Sequence, residues 1–331
     1  MDASFFIDIF LKSIESFEKH RRTWRGLHVY ATDGDQFELP SSEDFVSQGY
    51  DGHACPDGMK TYYPRMYVVN CYDVLSGVTK GFLTSKTNKE VEGAVFLANL
   101  MEPDSLTLYD RLFFGKELIR SHRESNSYFL ARVRSGNHFE EVMQAYESAR
   151  TYSCFYFEEV QIHILKLKNP RTGEVAVYCT NLPRDRFKNS EIADLYALRW
   201  EVENSNRDLS ETLKVEQWHS KSENGIMQEL YASLWLMNQA RIQMSLSLRK
   251  KCQLKSLFYY SKSNFKLIVD FITANLKDLV ADRTCRLHRK LKILLKISIE
   301  KRLRRSRTYP RQTKKTRNHY PSASLVPREV K

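Results

Sequence analysis

No stretch of this sequence approaches the roughly 20 uninterrupted apolar residues that a membrane-spanning helix requires, and the mean hydropathy is −0.52. The expectation is a soluble chain with no membrane partner. The opening MDASFFIDIFLKSIESFEKHRRTW carries acids early and lacks the basic start, apolar stretch and small-residue cleavage site of a secretory signal, so the cytoplasm is the default location. Six cysteines are scattered without any CxxC pair, several inside apolar runs such as YVVNCYD and AVYCTN, which is the pattern of reduced, buried thiols. His53 and Cys55 are neighbours, but no second ligand pair follows at zinc-site spacing. Internal repeats, low-complexity tracts and glycine-rich phosphate loops are also missing.

What is present is core material and a lopsided charge. Of 331 residues, 42% are hydrophobic and 12% aromatic, enough to fill a core of that size. The formal net charge is +12, yet 17 of the 52 Lys/Arg and only two of the 40 acids lie from Arg283 onward, leaving 35 basic against 38 acidic residues before it. The whole excess belongs to the last segment. A block such as KLKILLKISIEKRLRRSRTYPRQTKKTR suits a polyanion, because each neutralised phosphate releases a condensed counterion. A solvated tail and a contact with an acidic membrane are the alternatives that charge alone leaves open.

The order of elements is more informative. A helix is expected over Phe5 to Glu18, and LHVYATD reads as a strand closed by Asp33 and Gly34. RMYVVNCYDVLSGVTKGFLTS gives two β-rich runs joined by the hairpin signal Leu75-Ser76-Gly77. KEVEGAVFLANLM has apolar residues at helical spacing, and SLTLYD reads as a strand closed by Asp110. A helix over GKELIRSHRE and a strand over YFLARVR follow. Three antiparallel strands, a helical crossover and a fourth strand parallel to the first form the ribonuclease-H-like order. In that topology Asp33 and Asp110 meet on neighbouring strands at one edge of the sheet. Asp35 is the competing acid, and its place after Gly34 suggests turn decoration.

Beyond Ser135 the pattern departs from the simple fold. A short helix over FEEVMQAYES, the run CFYFEEVQIHILKLK, the turn Asn169-Pro170-Arg171-Thr172-Gly173 and EVAVYCTNLP predict a β-rich insertion. Helices are expected over Ser190 to Leu213, Ile226 to Leu248 and Asn264 to Leu279. A basic amphipathic helix from about Leu287 to Arg304 follows. The organisation expected is a lead-in (1–26), a first core part (27–134), the insertion (135–187), a second core part with its helix (188–249) and a helical, basic C-terminal region (250–331).

The most specific stretch is YALRWEVENSNRDLSETLK, residues 196–214. At about 100° per residue, Tyr196, Arg199, Glu203, Arg207, Ser210 and Lys214 share one polar stripe. Leu195, Leu198, Val202, Leu209 and Leu213 form a separate apolar one. Such a helix can pack on a sheet while presenting the Glu203 carboxylate flanked by cations and a phenol. An ordinary surface helix with an Arg199–Glu203 pair worth a few tenths of a kcal/mol is the alternative.

On these residues the chain resembles the bacterial insertion-sequence transposases of the DDE type, in the large family numbered four. Their signature reads Tyr, two residues, Arg, three residues, Glu, six residues, Lys, and Tyr196, Arg199 and Glu203 match it. Ser210 stands at the final position. ATDGDQFELP resembles the block around the first aspartate. TLYDRLFFGKELIRSH resembles the second block, usually Asp-Arg-Gly, with Leu112 in the glycine position. NLPRDRFKNSEIADLYALRW and the tail motif RTYPR extend the likeness, which covers about Leu27 to Arg311.

The resemblance implies a ribonuclease-H-like core with a β insertion and an active site of Asp33, Asp110 and Glu203. These would hold two Mg²⁺ ions, with Mn²⁺ a possible substitute: Asp33 bridging both, Asp110 holding one and Glu203 the other. It implies cleavage at insertion-sequence ends and strand transfer into target DNA, with double-stranded DNA as the partner and a homodimer on that DNA. Arg199, Arg207 and Lys214 would contact phosphates, Tyr196 would position the terminal nucleotide, and Tyr152, Phe155 or Tyr156 would stack on a flipped base. Only some 26 residues precede the first strand, where relatives carry a larger region for reading element ends. The expectation is an internally started fragment, or end recognition moved to the basic C-terminus. A DNA-binding remnant and a ribonuclease-H-like nuclease without strand transfer are the competing expectations.

Overall fold

The computed structural model describes residues 2–40, 45, 47–50, 52–54, 60–136, 139–168, 175–247, 262–280 and 284–300. The centre is built by β1 (His28–Glu38), whose residues alternate between two apolar layers. Val29 and Ala31 face one layer with Leu106, Leu108 and Leu130, while Tyr30 faces the other with Cys71 and Tyr109. This period-two alternation with both faces buried is what a strand between two helical layers requires.

On one side β1 pairs antiparallel with β3 (Lys60–Asp73), which carries the short β2 (Gly52–Ala54) and pairs with β4 (Val78–Ser85). The hairpin between β3 and β4 turns at Gly77, whose φ of 80° is open to glycine. On the other side β1 pairs parallel with β5 (Ser105–Tyr109), reached through helix α2 (Glu90–Asn99), and β5 pairs parallel with β6 (Tyr128–Val133) after helix α3 (Lys116–Glu124). The spatial order β4-β3-β1-β5-β6 is the ribonuclease-H-like arrangement. Helix α4 (Glu140–Glu147) and strands β7 (Tyr152–Phe157), β8 (Val160–Lys168) and β9 (Val175–Thr180) follow. They extend the same sheet, because β9 pairs antiparallel with β6 and carries β8 and β7 beyond it. The turn at 169–173 lies outside the described residues.

Two helices, α5 (Asn189–Ala197) and α6 (Trp200–Arg207), cover one face, placing Ile192, Leu195 and Val202 against Leu106, Leu108 and Leu165. The single helix expected from Ser190 to Leu213 is divided. It tightens to i→i+3 hydrogen bonding at Leu198 and Arg199, and a π-turn occupies Asp208–Thr212. Behind this end of the sheet runs α7 (Glu223–Ser247). Its Ile226, Leu230, Leu234 and Met237 are buried, as their spacing predicts, against Phe10 and Ile14 of α1 (Ser4–Phe17). The helix expected over Asn264 to Leu279 is interrupted at Asn275, giving α8 (Phe265–Ala274) and α9 (Leu276–Val280), and the Asn264 side chain caps the first by accepting from the Leu267 N–H at 3.1 Å. The basic helix α10 (Thr284–Ile297) ends short of the expected Arg304, because Ile299–Glu300 pairs with Lys262–Ser263. Residues 301–331, with most of the basic block and RTYPR, lie outside the described residues. No helix among the described residues is long and apolar enough to cross a membrane.

The lead-in is tied to the core by a buried charge cluster. Arg21 donates to Asp73 Oδ2 at 3.2 Å, Glu18 Oε2 at 2.7 Å and Glu102 Oε1 at 2.9 Å, and also contacts the Tyr30 hydroxyl. The side chains of Arg21 and Asp73 are only 4% and 3% exposed. Removing one partner of such a buried pair leaves the other charge uncompensated. Arg21→Ala is expected to lower unfolding stability by about 3 kcal/mol, measured by urea denaturation followed through tryptophan fluorescence. A change within about 0.5 kcal/mol, typical of surface positions, would show that the cluster does not anchor this segment.

Candidate catalytic carboxylate site

The parallel ladder between β1 and β5 ends at Thr32↔Tyr109. Asp33 and Asp110 are therefore the next residues along the two strands, on the face covered by α5 and α6. The expectation that Asp33 closes its strand is corrected. Strand β1 runs on to Glu38, because β3 is long enough to pair with it through Glu38↔Arg65, and Asp33 sits opposite Asn70. What ends at Asp33 is the pairing with β5. Asp35 likewise lies in extended strand and not in a turn, its Oδ1 accepting from the Gln36 N–H at 2.9 Å.

Helix α6 carries Glu203 to this point. It packs on β1 and β3, with Val202 fully buried, and the side chain of Asn70 donates to Asn206 Oδ1 at 2.8 Å within the core. That bond joins the helix, three residues after Glu203, to the residue paired with Asp33.

Arg199 stands between two of the three acids. It is 5% exposed. Its Nη2 donates to Glu203 Oε1 at 2.5 Å, and its Nη1 lies 3.8 Å from Asp33 Oδ1. Its Nε and Nη1 have no hydrogen-bond partner. Asp110 Oδ1 accepts from the Arg111 N–H at 2.6 Å. Among the described residues no three His, Cys, Asp or Glu side chains are close enough to hold an ion together as they stand. Asp33, Asp110 and Glu203 are thus brought to one end of the sheet, with the Arg199 guanidinium between Asp33 and Glu203.

The electrostatics agree with that geometry. Burial pushes the Asp33 carboxyl up to about 7; Arg199 opposes the rise, while Glu203, Glu90 and Asp110 add to it. Hard carboxylate oxygens short of positive charge are a suitable donor set for divalent ions such as Mg²⁺.

The flanking residues divide by exposure. Tyr196 is buried, packed edge-on to Tyr178 with ring centroids 5.0 Å apart. Arg207 is exposed at the end of α6. Lys214, placed by sequence one turn further along the same stripe, is off the helix. The π-turn shifts the phase, and Lys214 follows it with φ of 53°. Of the aromatics considered for base stacking, Phe155 packs into the opposite core layer. Tyr156 is 66% exposed but lies four residues along β7 from Tyr152, whose ring stacks on His163.

Two further charged residues were not singled out by sequence. Arg132 follows Ala131, the partner of Tyr109, so it occupies the row beside Asp110. Only strand register reveals it. Glu90, at the start of α2, lies with its carboxyl group against Gly34, whose backbone N–H favours the charged form while burial and neighbouring acids oppose it. Its sequence surroundings signal only a helix start.

Fold and site together define a ribonuclease-H-like chain with three acids and a basic residue at one sheet end. Residues 24–239 match the family model described as Transposase DDE domain, and the chain belongs to that family. It is 26% identical over 239 residues to the transposase InsG for insertion sequence element IS4 of Escherichia coli (strain K12), covering 67% of this chain and 53% of the relative. The chain thus spans about half the length of the curated relative it matches. Among solved structures, a piggyBac transposase synaptic complex with hairpin DNA aligns at a TM-score of 0.46 and 14% identity, covering 85% of this chain and 62% of that one.

The raised Asp33 fixes a pH dependence. Its carboxyl binds a proton more tightly in the folded state than at the ordinary value of 3.8, so its contribution to stability is greatest below that value and is lost as pH rises through about 7. In metal-free buffer, Asp33→Asn is expected to unfold at a higher temperature than the parent at pH 8, with the difference vanishing near pH 4. Equal midpoints at both pH values would contradict this.

Proposed function

We propose that this chain is a DNA transposase, cutting phosphodiester bonds at insertion-sequence ends and joining the freed strand to target DNA. The observation that carries the proposal is the register of β1 and β5, which makes Asp33 and Asp110 neighbours, with Glu203 linked to Asp33 through Arg199. Membership of the transposase family supports the same conclusion.

Asp33, Asp110 and Glu203 would hold the divalent ions. When bound, the ions, Mg²⁺ or its substitute Mn²⁺, supply Lewis acidity at the attacking and leaving oxygens. Arg199 offers two unpartnered nitrogens, Nε and Nη1, as donors to a phosphate oxygen once its hold on the carboxylates loosens. Tyr196 forms an apolar wall beside Arg199, where it would position the terminal nucleotide. Arg207 and Lys214, both exposed, would contact the duplex backbone without reading its sequence. A homodimer holding two element ends is the assembly that this reading entails.

One observation favours a second reading, a remnant that binds DNA without cutting it. Ser210 stands where the family signature has Lys, inside the π-turn, and Lys214 lies beyond the helix end with a φ of 53°. Labelled element ends incubated with the protein and Mg²⁺ separate these outcomes. The transposase reading predicts nicked and joined products. It also predicts that Asp33→Asn, Asp110→Asn and Glu203→Gln each lower the rate by on the order of 10³-fold or more while leaving DNA binding in place, as expected when members of a cooperating catalytic set are removed. Binding without nicking supports the remnant, and nicking without joined products supports a nuclease lacking strand transfer.

A further inference from the structure

Besides Asp110 and Glu203, a further acid acts on Asp33, and it reaches the site from the opposite side of the sheet. Helix α2 packs on the layer that contains Tyr30 and Cys71, placing Ala94 and Leu97 there. Its first residue, Glu90, lies at Gly34, directly after Asp33. Beyond Thr32 the backbone of β1 has left its pairing with β5. There the Glu90 side chain lies against Gly34, whose N–H favours its charged form. The missing side chain at Gly34 makes this contact possible, because a Cβ at that position would overlap Cγ, Cδ and Oε1 of Glu90. The neighbouring Lys89 is turned to Glu92, 3.6 Å away, and among the described residues no cation is paired with Glu90.

We propose that Glu90 is a positioning residue of the carboxylate site, which holds the backbone after Asp33 through the Gly34 N–H and adds its charge to the field that attracts a divalent cation. The inference rests on the reading of Asp33, Asp110 and Glu203 as cation ligands. Arg199, 5% exposed, lies beside these acids, with Nη1 lacking a hydrogen-bond partner and 3.8 Å from Asp33 Oδ1. The competing explanation is that Glu90 only complements the N-terminal dipole of α2, a role that has no bearing on cation affinity.

The two roles separate in a Mn²⁺ titration of the full chain, with free Mn²⁺ followed by electron paramagnetic resonance. Glu90→Gln keeps an oxygen for the Gly34 N–H and removes only the charge. It is expected to weaken Mn²⁺ binding about tenfold, as when an outer-shell partner of a metal ligand is changed, with the thermal midpoint in metal-free buffer not lowered. Gly34→Ala, whose added methyl evicts the flexible Glu90 side chain without demanding an unusual backbone angle, is expected to weaken binding similarly. The double variant should lose no more than the larger single effect. If Glu90→Gln and Gly34→Ala bind Mn²⁺ like the parent while Asp33→Asn does not, Glu90 is a helix-end residue and the inference fails alone. If Asp33→Asn also binds like the parent, the ligand reading of the site fails and takes this inference with it.

Discussion

The parallel pairing of β1 with β5 is the constraint on which the rest of this structure depends. It aligns Thr32 with Tyr109, so the two following residues, both aspartates, come side by side at the end of the shorter strand. Side chains in a strand alternate between faces, and a slip of one residue would send Asp33 to the layer opposite Glu203. What prevents the slip is apolar. Val29, Ala31, Leu106 and Leu108 are fully buried on one face and Tyr30 and Tyr109 on the other, so each strand has one register that keeps both layers dry. The placement of the acids is thus a consequence of core packing two to four residues earlier in each strand.

Bringing acids together works against the stability that the core supplies. Burial alone raises the Asp33 carboxyl, and three other carboxylates raise it further. The protein offsets this with Arg199, placed by the tight turn between α5 and α6 so that one guanidinium serves both Asp33 and Glu203. The arrangement is held from behind by the Asn70–Asn206 bond, an uncharged contact that adds no further repulsion. Rigid packing and crowded charge meet within a few residues, as is common where local stability is given up at a functional site.

Much of this was legible in the sequence, and the rest was not for identifiable reasons. The strand order, the hairpin at Gly77 and the aspartates at the ends of LHVYATD and SLTLYD follow from local alternation and turn residues. The continuation of β1 to Glu38 depends on the length of a partner strand some 30 residues away, which local pattern does not encode. A helical wheel assumes one angle per residue throughout. It therefore placed Glu203 beside Arg199 correctly, over four residues, and misplaced Lys214, where the π-turn adds to each turn. Burial was the other blind spot. The enclosure of Arg199 could not be read from the wheel, while Glu90 and Arg132 enter only through crossover and register.

The misplaced lysine bears on where the site obtains its positive charge. The family signature puts a cation on the helix after the glutamate, but here that position is Ser210, and the π-turn that contains it is tied to α7 by the Asp208–Arg241 pair. In that contact Arg241 also lies over the Phe265 ring at 4.4 Å. Cations are available on the other sides. Arg199 precedes Glu203 on the chain, and Arg132 occupies the row next to Asp110, close enough for its charge to be felt, with that of Asp110, at the Tyr196 hydroxyl. The positive charge at this end of the sheet therefore comes from the strand and from the start of the helix, while the far end of the helix serves α7 as a packing partner.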